Sequence, residues 1–135
     1  MGRSVEHVRA EGAPPGLEVT WSEAQSRWEL RDGTRTHSLA TIPEHAHLAV
    51  FVAHDGKLAV VRTSAEHDLT NRVLIYNRRG RLLVRHDLTT LLGSDVGRTV
   101  VRSISHIDWF RRGSFIAPDT VELELRTGRK LSIDL

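Results

Sequence analysis

His45-Ala46-His47 stands just ahead of an apolar run. In an extended chain, residues i and i+2 point to one side, so these two imidazoles could share a metal ion. A metal needs a third and usually a fourth ligand, and His54, Asp55 and His67 are the nearby donors. The residues that follow directly, Leu48, Ala49, Val50 and Phe51, offer no carboxylate. The competing reading is a pair of surface histidines before an edge strand. Ser105-His106-Ile107-Asp108 holds the residue types of a hydrolytic triad. A triad serine needs a sharp turn beside oxyanion donors, and no Gly-x-Ser-x-Gly is present. On a strand Ser105 also faces away from His106 and Asp108, which makes a structural tie the better account. Glu122 and Glu124 fall on the polar face of an alternating strand, where solvation explains them.

Arginine offers a different chemistry. The chain has seventeen Arg and only two Lys, Lys57 and Lys130. The guanidinium fork binds phosphate and carboxylate in bidentate fashion, so this surplus fits polyanion recognition as well as it fits Arg-rich codon usage. Arg78-Arg79-x-Arg81 and Arg111-Arg112 both lie at expected turns. If both tips share one edge, they form a basic rim near Tyr76, Trp109 and Phe110, the combination found in nucleic-acid grooves on β scaffolds. Tyr76 and Trp109 sit within apolar strands, however, and are expected in the core. The overall charge of +2 hides a strong asymmetry. Residues 1–68 carry net −3, residues 69–118 net +6 and residues 119–135 net −1. An anionic partner would dock on the middle third.

The elements that must hold these residues are strands. Leu48–Ala53 and Lys57–Arg62 flank His54-Asp55-Gly56, a strong hairpin signal because Asp-Gly tolerates positive φ. Val73–Tyr76 and Arg81–Val84 flank Asn77-Arg78-Arg79-Gly80 in the same grammar. Val121-Glu122-Leu123-Glu124-Leu125 alternates strictly and turns through Thr127-Gly128 into Lys130–Leu135. Asp87–Gly93 suggests one helical turn, with an acidic start and a glycine stop.

Laid over one another, these hairpins recur. The turn glycines 33, 80 and 128 lie 47 and 48 residues apart, and Leu39, Leu88 and Leu135 lie 49 and 47 apart. Gly56 and Gly113 mark an earlier turn in the second and third copies, and the first copy shows only Leu17–Trp21 as an early strand. A four-stranded antiparallel unit with this period resembles the blade of a β-propeller, without the WD40 or kelch signature. The resemblance covers residues 17–135 and implies architecture alone: an antiparallel meander of blade-like repeats, all β, as a partial propeller or open stack, with a β-sandwich as the alternative. Three copies are fewer than a closed ring uses, so an unsatisfied apolar flank is expected at each end. Residues 1–16, ending in Gly12-Ala13-Pro14-Pro15-Gly16, are expected to be an arm and linker.

No cysteine, phosphate loop or long apolar run is present, and Met1–Arg9 lacks the apolar core of a secretion signal. The expectation is a cytoplasmic chain with no membrane span and no cofactor. The functional reading is a non-catalytic binding or scaffolding module acting on a protein partner or on itself as a homodimer. The alternatives are a small metal-dependent enzyme or ligand binder using His45 and His47, and nucleic-acid binding through residues 72–112.

Overall fold

A computed structural model describes residues 7–9, 17–42, 47–64, 70–93, 101–102 and 107–135. Strands β1 (His7–Arg9), β2 (Leu17–Ser22), β3 (Arg27–Asp32) and β4 (Arg35–Leu39) pair antiparallel in that order as a first sheet. β5 (His47–Val52), β6 (Leu58–Ser64), β7 (Val73–Tyr76) and β8 (Leu82–His86) form a second antiparallel sheet, again in chain order. A short helix, α1 (Leu88–Leu92), follows. β9 (Val101–Arg102) then pairs with β10 (Ile107–Asp108). One residue later, β11 (Phe110–Ala117) opens a third sheet with β12 (Thr120–Leu125) and β13 (Lys130–Asp134).

The second sheet is the middle layer. Along β6, Leu58 and Val60 face the first sheet, while Ala59 and Val61 face the third. Along β7, Leu74 and Tyr76 face the first sheet, while Val73 and Ile75 face the third. A strand buried on both faces reads as a continuous apolar run, which is what β6 and β7 show. β12 is covered on one face only, and its burial alternates residue by residue. Each fully buried Val, Leu or Ile side chain contributes about 1.5–3 kcal/mol, so the two cores between the three layers dominate the stability. The first core gathers Val19, Trp28 and Leu30 against the middle sheet, and the second gathers Trp109, Leu123 and Leu125.

The all-β antiparallel architecture therefore holds, as an open stack of three sheets; among the described residues no ring or barrel closes. A two-layer sandwich is not formed. Three details differ from the sequence expectation. First, β1 lies inside the segment taken as an arm. It pairs His7 with Thr20 and Arg9 with Glu18, and it completes the first sheet to four strands. Second, Gly113 is not a turn. It lies within β11 opposite Leu123, and the chain turns instead at Pro118-Asp119. Third, the outer faces of the stack are polar. On the third sheet Glu122, Glu124, Arg112 and Lys130 point outward as ion pairs. On the first sheet Thr20 is in register with Glu29, which binds Arg27 at 2.9 Å. Strand alternation turns these residues away from the two cores, so the side of each outer sheet that faces away from the stack is polar at these positions, although Thr20 and Glu29 are themselves buried.

The helical turn at Asp87 is present, but its acidic residue acts elsewhere. The Asp87 carboxylate accepts the Asn71 N–H at 2.8 Å and makes no side-chain cap of its own helix. No helix in the described residues is long and apolar enough to cross a membrane.

Candidate functional site

Four hairpin tips line one edge of the stack, and their local chemistry makes them rigid. At the β7–β8 tip the Asn77 carboxamide oxygen accepts the N–H groups of Arg79 (2.9 Å) and Arg81 (3.0 Å). Gly80 closes this turn at φ 80°, a conformation that L side chains adopt only under strain. An added methyl there would also meet His37 and the Ser38 carbonyl of the first sheet within about 3 Å. The β5–β6 tip is closed by Gly56, and the Asp55 carboxylate accepts the Lys57 N–H at 3.1 Å.

Ion pairs tie these tips together across the layers. The Arg78 guanidinium donates to Asp32 at 3.0 Å, joining the β7–β8 tip of the middle sheet to the β3–β4 tip of the first. The stem of Arg78 runs against Gly56, where a methyl group would lie 2.9 Å from its Cδ. The Lys57 ammonium binds Asp55 on its own turn and reaches Asp119 (3.0 Å) and the Pro118 carbonyl (3.3 Å) on the β11–β12 tip. These contacts show in the titration of the groups. The hydrogen bond from Arg78 holds the Asp32 carboxyl below its ordinary value, and Lys57 does the same to Asp55. Asp55 and Asp119 in turn push the Lys57 ammonium up.

Of the arginines singled out in the sequence, Arg78 is therefore a structural tie. Arg79 and Arg81 are exposed and make no ion pair or side-chain hydrogen bond among the described residues. Arg35, on the neighbouring β3–β4 tip, stands in the same way. Sequence inspection missed it because it lies 44 residues before Arg79, in the acidic first half of the chain.

Arg111 and Arg112 belong to a different surface. They lie within β11, not at a turn, and both bind Glu124, at 3.3 Å and 3.1 Å. Burial pushes the Glu124 carboxyl up, but the two guanidinium groups outweigh it and hold the carboxyl below its ordinary value. Arg112 lies six residues before Pro118 along an extended strand, so about 20 Å separates it from the hairpin-tip edge. The two arginine groups thus do not share one edge, the condition for a single basic rim. Its aromatic part is also missing: Tyr76 and Trp109 are fully buried, and Phe110 packs against the second core. The Tyr76 hydroxyl donates to the Ala40 carbonyl and the Trp109 indole N–H to the Arg62 carbonyl.

Of the metal candidates, only His47, His54 and Asp55 lie within the described residues, and these three are not brought together. His47 opens β5, whereas His54 and Asp55 follow its far end, about 20 Å away along the strand. Asp55 is engaged by Lys57. Among the described residues no group of three metal-ligating side chains converges. His45, His67, Ser105 and His106 lie outside the described residues, as does the side chain of Asp108. Glu122 and Glu124, expected to be simply solvated, are ion-paired to Lys130 and to the two arginines. Two buried cations, Arg62 and Arg72, had no signal in the sequence; their guanidinium groups donate to the Thr70 and Arg62 carbonyls.

No protein-family model, curated protein or solved structure matches this chain.

Proposed function

We propose that this protein is a non-catalytic binding module that engages an acidic protein surface through its β3–β4 and β7–β8 tips. The observation that carries this reading is the set Arg35, Arg79 and Arg81: three exposed guanidinium groups that make no ion pair among the described residues, on two turns joined by Asp32 and Arg78. Arginine binds carboxylates as a planar fork, and a rigid turn spares the cost of ordering the backbone on binding. The buried aromatics leave no stacking platform beside these cations, which favours a carboxylate-bearing partner over single-stranded nucleic acid. A cytoplasmic setting belongs to the same proposal. So does descent of the three sheets from one blade-like unit, since Gly33, Gly80 and Gly128 each take positive φ at the last hairpin of their sheet.

The test is fluorescence anisotropy with a labelled oligo-glutamate peptide and a single-stranded oligonucleotide of equal charge. The peptide should bind at low salt and weaken as salt rises. Joint replacement Arg79→Ala and Arg81→Ala should lower its affinity about tenfold, as loss of two rim charges does. Replacing Arg111 and Arg112 should change little, because Glu124 already occupies them. Equal loss in both double variants, or tighter binding of the oligonucleotide, would overturn the proposal.

A further inference from the structure

The hairpin-tip edge carries opposite charge at its two ends. Arg35 stands on the β3–β4 tip of the first sheet, and Arg79 and Arg81 on the β7–β8 tip of the middle sheet, which packs against it. Towards the third sheet, Lys57 binds Asp55 on its own β5–β6 tip and Asp119 on the β11–β12 tip, and β13 adds Asp134. Asp134 is held beside the β11–β12 turn by the Thr120 hydroxyl, which donates to it at 3.2 Å. About two intersheet spacings, or 20 Å, separate the first-sheet tip with Arg35 from the third-sheet tip with Asp119.

Large apolar side chains are also exposed towards each end, Leu83 on one side and Ile116 with Leu135 on the other. Leu83, two residues after Arg81, is 46% exposed because a register irregularity between β7 and β8 leaves it facing outward. Ile116 is 55% exposed and lines a cleft of about 450 Å³ with Val52, His54, Phe115 and Pro118. The basic end thus carries an apolar knob, and the acidic end an apolar cleft.

We infer that this edge is a contact surface between two copies of the chain related by a two-fold axis. A line that is positive at one end and negative at the other becomes its own complement when turned by half a revolution. Such a rotation sets each basic end against the acidic end of the other copy, and it brings Leu83 of one copy to the Ile116 cleft of the other. Both contacts are then made twice, which closes the assembly as an isologous pair. The inference rests on the proposed role of the basic tips and names the acidic surface they meet.

Light scattering on the full chain at low and high salt tests it. Wild-type protein should show twice the 15.2 kDa chain mass at low salt and revert towards a single chain as salt rises. Arg79→Glu with Arg81→Glu should weaken the pair about a hundredfold, and so should Asp119→Arg with Asp134→Arg, because like charges then face each other. Mixing the two variants should restore a pair, since every reversed end meets an opposite charge. That rescue also shows that both variants are folded. Wild-type protein that stays a single chain at low salt overturns the inference, as does a wild-type pair with no recovery on mixing. If single-chain wild type still binds oligo-glutamate through Arg79 and Arg81, the proposed binding role survives alone; if it binds neither, both fall.

Discussion

A methyl group on residue 113 would lie 2.8 Å from the Phe51 ring and 2.9 Å from a Leu123 methyl. Both neighbours are buried and cannot move aside at little cost. Gly113 therefore works by absence: it lets the Phe51 ring lie against the β11 backbone, edge-on to Phe115 at 6.0 Å. Gly113→Ala should lower stability by about 1–3 kcal/mol, as overpacking a filled core does. Urea denaturation would show this as a lower midpoint at unchanged slope, and an unchanged midpoint would mean that the core gives way more easily than its packing implies. The residue also shows where sequence patterns mislead. A glycine between apolar stretches marks either a turn or a close approach of another group, and only the tertiary partner distinguishes them. The true turn had a local signal in Ala117-Pro118-Asp119-Thr120, with proline and aspartate in favoured turn positions.

At the scale of elements, the hairpins were legible because their chemistry is local. Gly33, Gly56, Gly80 and Gly128 all take positive φ in turns. What holds one hairpin to the next was not legible. Asp32 and Arg78 are 46 residues apart, and Lys57 and Asp119 are 62 apart, so no spacing rule connects them. β1 was hidden for another reason. Three residues pair with β2 beyond a Pro-Pro-Gly stretch, too few to display an alternation. The inter-tip ties set a dependence on pH. Asp32 and Asp55 sit below their ordinary 3.8 in the fold, so the stability they contribute is complete above that value. It is lost as pH falls through their lowered folded values. Lys57 sits above its ordinary 10.5, so its contribution is complete below 10.5 and is lost as pH rises through the raised value. A melting temperature measured against pH should be level between these limits and fall beyond each. Asp32→Asn should show a shallower fall on the acid side, and an acid limb as steep as that of the parent would remove Asp32 from the account. Being exposed at the surface, these pairs should move the melting temperature only slightly.

At the scale of the whole molecule, the middle sheet serves two cores with alternate residues of the same strands. Val60 and Val61 are neighbours in sequence, yet their side chains belong to different cores. Val60→Ala and Val61→Ala should each cost about 2 kcal/mol through lost burial and the cavity left behind. Because the cavities open on opposite faces, the double variant should cost nearly the sum, and chemical denaturation measures the difference directly. A large departure from additivity would show that the two cores adjust to each other through the sheet. The three-layer arrangement was only partly visible beforehand. The apolar runs Leu58–Val61 and Val73–Tyr76 carry the signal of a sheet covered on both sides, but the repeat period alone suggested equivalent sheets.

Double coverage of the middle sheet has a consequence for how the protein is made. Synthesis delivers the first sheet, then the middle one, and only afterwards the strands from Phe110 to Asp134 that cover its second face. At roughly 5–20 residues per second the ribosome needs seconds to release that last portion. Throughout that interval Val61, Val73 and Ile75 present an apolar face that only Leu88 and Leu92 of α1 are there to cover. Newly synthesised chains should therefore be good clients for chaperones that hold hydrophobic strands, until β11, β12 and β13 close over that face.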